Sequence, residues 1–260
     1  MYSDIKECLR RDIRNAGDTA KSKQRSEGFY VPSVNNDQEP FPCGELSVSP
    51  CWYPQGNHTL LASSPVLKTH IGLNFFRTAN ESLALLGSAL WLLHPKLAVR
   101  GSAIMEAIRN GTVKEPKANK EPNATPWWPS PFTTMGFISN RKIDVHHDHK
   151  GFERFYDILT TLGDYSDGKF RVPGLGVVFE YNPGTMIAVC GKVLGHSVGE
   201  VNGNRLCLAQ YFHQEVLNHH GASGDIPHQD YDGWMTRLQY SSIQHSGSRW
   251  IQKEQISTTT

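Results

Sequence analysis

From residue 133 the chain reads as short strand-like runs cut by turns, and this pattern constrains its fold more than any other feature. The runs are Thr133–Ile138, Lys169–Val172, Val177–Tyr181, Met186–Cys190 and Arg205–Phe212, and the turns are Asp167-Gly168, Pro173-Gly174, Asn182-Pro183-Gly184 and Gly203-Asn204. Glycine and asparagine supply the positive φ that tight reversals need, and proline presets the other turn angle. Period-two runs between such reversals pair as strands, so the expected core is an antiparallel sandwich or barrel.

Upstream the period is different. Leu83, Leu85, Leu86, Leu90, Trp91, Leu92 and Leu93 predict one strong helix, and Gly101–Asn110 closes a second with Gly111 as its stop. These helices support the core, and His70 and His94 on them read as packing or surface residues because neither has a spaced partner. Residues 1–64 are polar and broken by Pro32, Pro40, Pro42 and Pro54, so they read as an irregular arm with a short amphipathic helix over 4–14 and no site. The division expected is thus an arm over 1–64, a helical support region with a basic linker over 65–125, the core over 126–218 and a peripheral tail over 219–260. At 260 residues this fits one domain with a sizeable core.

The chemistry begins at Ile143-Asp144-Val145-His146-His147-Asp148-His149, which contains His-x-Asp. In an extended segment residues i and i+2 share a face, so His146 and Asp148 point the same way while His147 and His149 are expected to face away. His196, far downstream, follows the turn Gly191–Gly195 and heads a short strand, His196-Ser197-Val198. Two imidazoles and a carboxylate on one face of an octahedral metal are the donor set of non-haem Fe(II) oxygenases, with positions left open for 2-oxoglutarate and O2. The far carboxylate of 2-oxoglutarate needs a permanent cation with a planar fork, and Arg205 opens the next strand. A second His-x-Asp, His228-Gln229-Asp230 with His245 and Arg249 downstream, leaves too little chain for barrel strands between its parts and reads as chance.

The stretch Asn140 to Val216 carries a family resemblance, above all Gly168-Lys169-Phe170-Arg171-Val172-Pro173-Gly174-Leu175-Gly176, Tyr181-Asn182-Pro183-Gly184-Thr185 and Leu194-Gly195-His196-Ser197-Val198. It resembles the double-stranded β-helix of 2-oxoglutarate oxygenases, and among these the transposon-associated TET/JBP-like enzymes of fungi. The resemblance implies an α+β fold, a jelly-roll core with supporting N-terminal helices, and oxidation of a methyl group on a DNA base. It further implies that Cys207 sits with Arg205 in the co-substrate site, that Tyr211 stacks on or bonds the base, and that His213 contacts the base's polar edge. Spacing of two along Arg205, Cys207, Tyr211 and His213 is consistent with one shared face. Two features depart from the family: Gly151 stands where those enzymes carry a base-holding Asn, and five scattered cysteines cannot build the zinc platform of the animal enzymes. Base identity therefore stays open between 5-methylcytosine and N6-methyladenine.

Methylated double-stranded DNA is the expected partner, reached by base flipping, with Arg141, Lys142, Lys150 and Lys114–Lys120 as candidate phosphate contacts. A net charge of +1, from 26 basic and 25 acidic residues, permits nucleic-acid binding without predicting it. The competing readings are a hydroxylase of a protein or small molecule on the same barrel, and a binding module without turnover. The charged N-terminal residues and the lack of a long apolar run point away from secretion and membranes, so the expectation is an intracellular, nuclear protein with reduced cysteines.

Overall fold

The computed structural model describes residues 28–30, 32, 40–53, 61–110, 128–149, 151–152 and 155–219. In chain order these form β1 (Gly44–Val48), a 3-10 turn (Pro65–Lys68), α1 (His70–Thr78), α2 (Asn80–Leu93) and α3 (Pro95–Arg109). There follow β2 (Thr134–Ser139), β3 (Ile143–His146), β4 (Asp157–Ser166), β5 (Lys169–Val172), a 3-10 turn (Pro173–Leu175) and β6 (Val177–Glu180). The chain closes with β7 (Met186–Val189), β8 (His196–Val198), β9 (Asn202–Tyr211) and α4 (Gln214–His219). All of these lie in the first of two compact units, Met1–Gly224; the second, Asp225–Thr260, falls outside the described residues. So do the helix expected over 4–14, Lys114–Lys120, Lys150 and the second His-x-Asp at His228.

The strands make two antiparallel sheets, one in the order β1-β2-β9-β4-β7 and the other β3-β8-β5-β6, the jelly-roll expected. Two long strands, β9 and β4, run side by side from Ile158↔Gln210 to Ser166↔Asn202. Period-two alternation splits β9 cleanly: Leu206, Leu208 and Gln210 take one face, and Arg205, Cys207, Ala209 and Tyr211 take the other and line the cavity. The first face packs under the helices, with Phe75 of α1 edge-on to Phe137 of β2 and Phe76 stacked on Trp128. Helix α3 comes so close that a Cβ on Gly101 would stand 2.6 Å from the Phe212 ring.

The helix starts are satisfied locally. The Thr69 hydroxyl caps α1 by accepting from the Gly72 N–H at 3.2 Å, and His94 Nδ1 caps α3 by accepting from the Leu97 N–H at 3.3 Å. With Pro95 in the first turn, buried His94 is a packing and capping residue, as its lone position suggested. Among the described residues no helix is long and apolar enough to cross a membrane.

The helices α1 and α4 and two strands were not expected from the sequence. The irregular arm contains β1, which pairs with β2 from Gly44↔Ser139 to Val48↔Met135. Leu46 and Val48 are buried, whereas Glu45 and Ser47 border the cavity, so its apolar alternation was too short to register. The long interior strand β4 also departs from the expectation, because Thr160, Thr161 and Gly163 break an apolar pattern. Gly163 is required there: at φ 126° it lets β9 approach so closely that a Cβ would meet the Asn204 carbonyl at 2.1 Å.

Candidate active site

Strand pairing brings the distant histidines together. In the β3–β8 ladder His146 stands directly opposite His196, and their rings are 4.4 Å apart between centroids. Asp148, just past the end of β3, is held by its own N–H to the Gly191 carbonyl at 2.8 Å. Its two oxygens each face one imidazole, Oδ1 at 3.5 Å from His146 Nε2 and Oδ2 at 3.5 Å from His196 Nε2. One ligand atom from each residue lies within 4.8 Å of the others, the spacing of a three-donor metal site.

The tautomers are set from behind. His146 Nδ1 donates to the Asp144 carbonyl and His196 Nδ1 to the Leu194 carbonyl, both at 3.0 Å, which turns each Nε2 toward Asp148. Phe170, fully buried, stacks on the His196 ring at 5.3 Å and 15° and keeps it from turning. Burial disfavours charge on all three residues, but the outcome differs. For Asp148 the bond from His146 and the charges of both imidazoles overcome burial and hold the carboxyl below its ordinary range. For His146 the bonds to Asp148 and Asp144 likewise overcome burial and raise it, while for buried His196 burial wins and lowers it. Asp148 and His196 thus favour the carboxylate and neutral imidazole that a metal takes as ligands, whereas His146 must give up the proton its bonds favour.

These residues open into a cavity of about 360 Å³ whose lining also includes Arg205, Cys207, Ala209 and Tyr211 from β9. Arg205 is buried, with its guanidinium donating to the Gly199 carbonyl at 3.2 Å and to the Arg141 carbonyl. Beside it Tyr181 Oη contacts Cys207 Sγ at 3.4 Å, and burial drives both the phenol and the thiol upward, so both are neutral donors. Tyr211 is raised to about 12 by burial, partly countered by a hydrogen bond to Ser47.

Of the residues singled out in the sequence, the structure gathers His146, Asp148, His196, Arg205, Cys207 and Tyr211 around one cavity. His213 is different: β9 ends at Tyr211, so alternation no longer carries His213, and it is absent from the cavity lining. His147 and His149, expected to face away, both border the cavity because the chain leaves β3 at His146 and strict alternation ends there. Glu45, Ser47, Asp157 and Tyr181 also line it and were missed. The two described cations expected on DNA are already engaged, Arg141 with Glu45 at 2.8 Å and Lys142 with Glu200 at 3.2 Å.

The family match agrees with this chemistry. A sequence profile of the Tet/JBP family, the oxygenase domain of the 2OGFeDO superfamily, matches residues 49–214. No curated protein matches the chain significantly. Among solved structures it is similar to NgTET1 in complex with 5mC DNA, at 9% identity and TM-score 0.48, over 75% of this chain and 69% of that one. It is also similar to OsALKBH1, at 12% identity and TM-score 0.26, over 82% of this chain and 92% of that one. With most of its described length inside the profile and a His-Asp-His cluster able to hold iron, the chain belongs to the Tet/JBP family of oxygenases, which use Fe(II), 2-oxoglutarate and O2.

Proposed function

We propose that this chain oxidises the methyl group of a modified DNA base, 5-methylcytosine or N6-methyladenine, after the base is extruded from the duplex into the cavity. The observation that carries the reading is the inward row of β9, which puts Arg205 and Tyr211 in one cavity with the His-Asp-His cluster. In this proposal His146, Asp148 and His196 hold Fe(II), whose Nε2 and carboxylate donors are already turned toward one point. Bound there, the metal with 2-oxoglutarate and O2 supplies a two-electron oxidation of a C–H bond, with succinate and CO2 as co-products.

The chain's own groups do the rest. Arg205 meets the far carboxylate of the co-substrate with a charged fork, and the neutral Tyr181 hydroxyl beside Cys207 adds a donor. Leu159, Phe170, Ile138 and Val198 give the cavity an apolar wall. Tyr211, with Ser47 and Glu45 from β1, offers an aromatic face and polar partners to a flat heterocycle. His213, outside the lining, has no part in this proposal. A nuclear location would follow from the substrate.

The test is incubation with duplex oligonucleotides carrying 5-methylcytosine or N6-methyladenine, with Fe(II) and 2-oxoglutarate, followed by nucleoside mass spectrometry. Oxidised methylcytosine or lost methyladenine supports the reading and names the base. Succinate formed with neither base altered would move the substrate to a protein or small molecule, the direction in which the neutralised Arg141 and Lys142 lean.

A further inference from the structure

Asn140, with no exposed surface, follows the last residue of β2 and has a left-handed backbone, φ 50°. The β2–β9 ladder ends at Ser139↔Leu206. One more regular pair, Asn140 with Arg205, would exchange two main-chain hydrogen bonds. Half of that exchange is present: the Asn140 N–H donates to the Arg205 carbonyl at 2.9 Å. The other half is not, because the left-handed turn swings the Asn140 carbonyl away to accept from the Tyr30 N–H at 3.0 Å. The side chain takes its place, Asn140 Oδ1 accepting from the Arg205 N–H at 2.8 Å.

The rest of the carboxamide is equally committed. Its Nδ2 donates to the Phe41 carbonyl and to Asn204 Oδ1, both at 3.0 Å, and Asn204 Oδ1 also accepts from the Phe41 N–H at 3.0 Å. The same turn delivers the next carbonyl, that of Arg141, to the Arg205 guanidinium. One residue thus anchors the Arg205 backbone through its side chain and aims the Arg205 fork through the chain that follows it. The side-chain chemistry is narrow: glycine adopts the φ but has no amide, and aspartate accepts but cannot donate. Asparagine supplies the backbone angle, the acceptor and both donors, and every polar group of Asn140 is engaged.

We propose that Asn140 is a positioning residue for Arg205 and sets how tightly the far carboxylate of a 2-oxo diacid is held. This rests on Arg205 being the co-substrate anchor. The full-length protein loaded with Mn(II), which suits the same His and carboxylate donors, is titrated calorimetrically with 2-oxoglutarate and with 2-oxobutyrate, which lacks the far carboxylate. Asn140→Gly is expected to weaken 2-oxoglutarate by about tenfold, in the range of coupling between contacting residues, and 2-oxobutyrate by less than about twofold. Mn(II) affinity should stay as in the unaltered protein. Equal losses for both acids, or none for either, would overturn the proposal, since a merely structural role loosens the whole site. If Asn140→Gly does not fold, Asn204→Ala, which removes the acceptor orienting the Asn140 amide, should show the same selective loss in smaller measure, and a non-selective loss again overturns it. Arg205→Lys distinguishes the premise: it must itself separate the two acids, and a folded Arg205→Lys that treats them alike overturns the proposal through the reading of Arg205 and leaves the metal cluster untouched.

Discussion

Substituting Gly191 by alanine should empty the metal site without altering any ligand. A Cβ built at Gly191 lies 2.2 Å from Asp148 Oδ2 and 3.1 Å from both Asp148 Cγ and Asp157 Oδ2. Ordinary contact begins near 3.4 Å, so the Asp148 oxygen must retreat by about 1.2 Å. Metal–ligand distances tolerate only about 0.2 Å. The side chain cannot swing freely either, since the Asp148 N–H is tied to the Gly191 carbonyl at 2.8 Å and moves with the same loop. Losing the orientation of a ligand costs roughly 10–100-fold in metal affinity, and displacement of the ligand itself places Gly191→Ala at or beyond the upper end. Overpacking costs about 1–3 kcal/mol of stability, so the protein should still fold. Isothermal titration with Fe(II) under anaerobic conditions reads the affinity and circular dichroism the fold. A folded Gly191→Ala with unchanged metal affinity would mean that Asp148 Oδ2 is not a ligand, and Asp148→Ala with unchanged affinity as well would overturn the triad.

Three further outcomes are expected. Arg205→Lys should raise the apparent KM for 2-oxoglutarate by the value of a charged hydrogen bond, about 1.5–3 kcal/mol or roughly 10–150-fold, because a point charge cannot span the carboxylate fork; initial rates against co-substrate concentration measure it, and an unchanged KM removes Arg205 from the site. Tyr211→Ala should abolish oxidation of methylated DNA while leaving substrate-free succinate formation near its starting rate, since misplacing a reacting group by about 1 Å can cost ~100-fold; loss of the basal reaction as well would make Tyr211 a structural residue. Asp157 is held well above the carboxyl range by burial and then by the Asp148 charge, so the folded metal-free protein keeps a proton that the unfolded chain releases near pH 4. Stability should therefore fall as pH rises from about 4 toward the folded pKa. Asp157→Asn should remove that fall, and thermal denaturation of both proteins across pH decides it, an unchanged slope counting against the assignment.

The candidate site was legible in the sequence where its residues sit on regular strands. His146, Asp148, His196 and Arg205 were singled out because a period of two states which residues share a face and turn residues state where strands reverse, and the family resemblance added Cys207 and Tyr211. The cavity itself inverts the usual pattern: its inward face needs Glu45, Ser47, Asp157 and Arg205, so β1 and β4 looked like loop where they are sheet. Alternation also fails at strand ends, which is why His147 and His149 turned inward and His213 fell outside.

What lies across from a face was decided only in three dimensions. The bond that joins Phe41 to Asn204 spans 163 residues, and the two that tie Asn140 to Asn204 and Arg205 span 64 and 65. Sequence by itself determined the strands bounded by clear turns, the candidate ligand types and the family they resemble. The register that sets His146 opposite His196, and the turn at Asn140 that aims Arg205, came from packing two sheets and their helices together. Local spacing encodes direction along one strand, whereas a site is made of distances between strands, and those distances exist only once the core has closed.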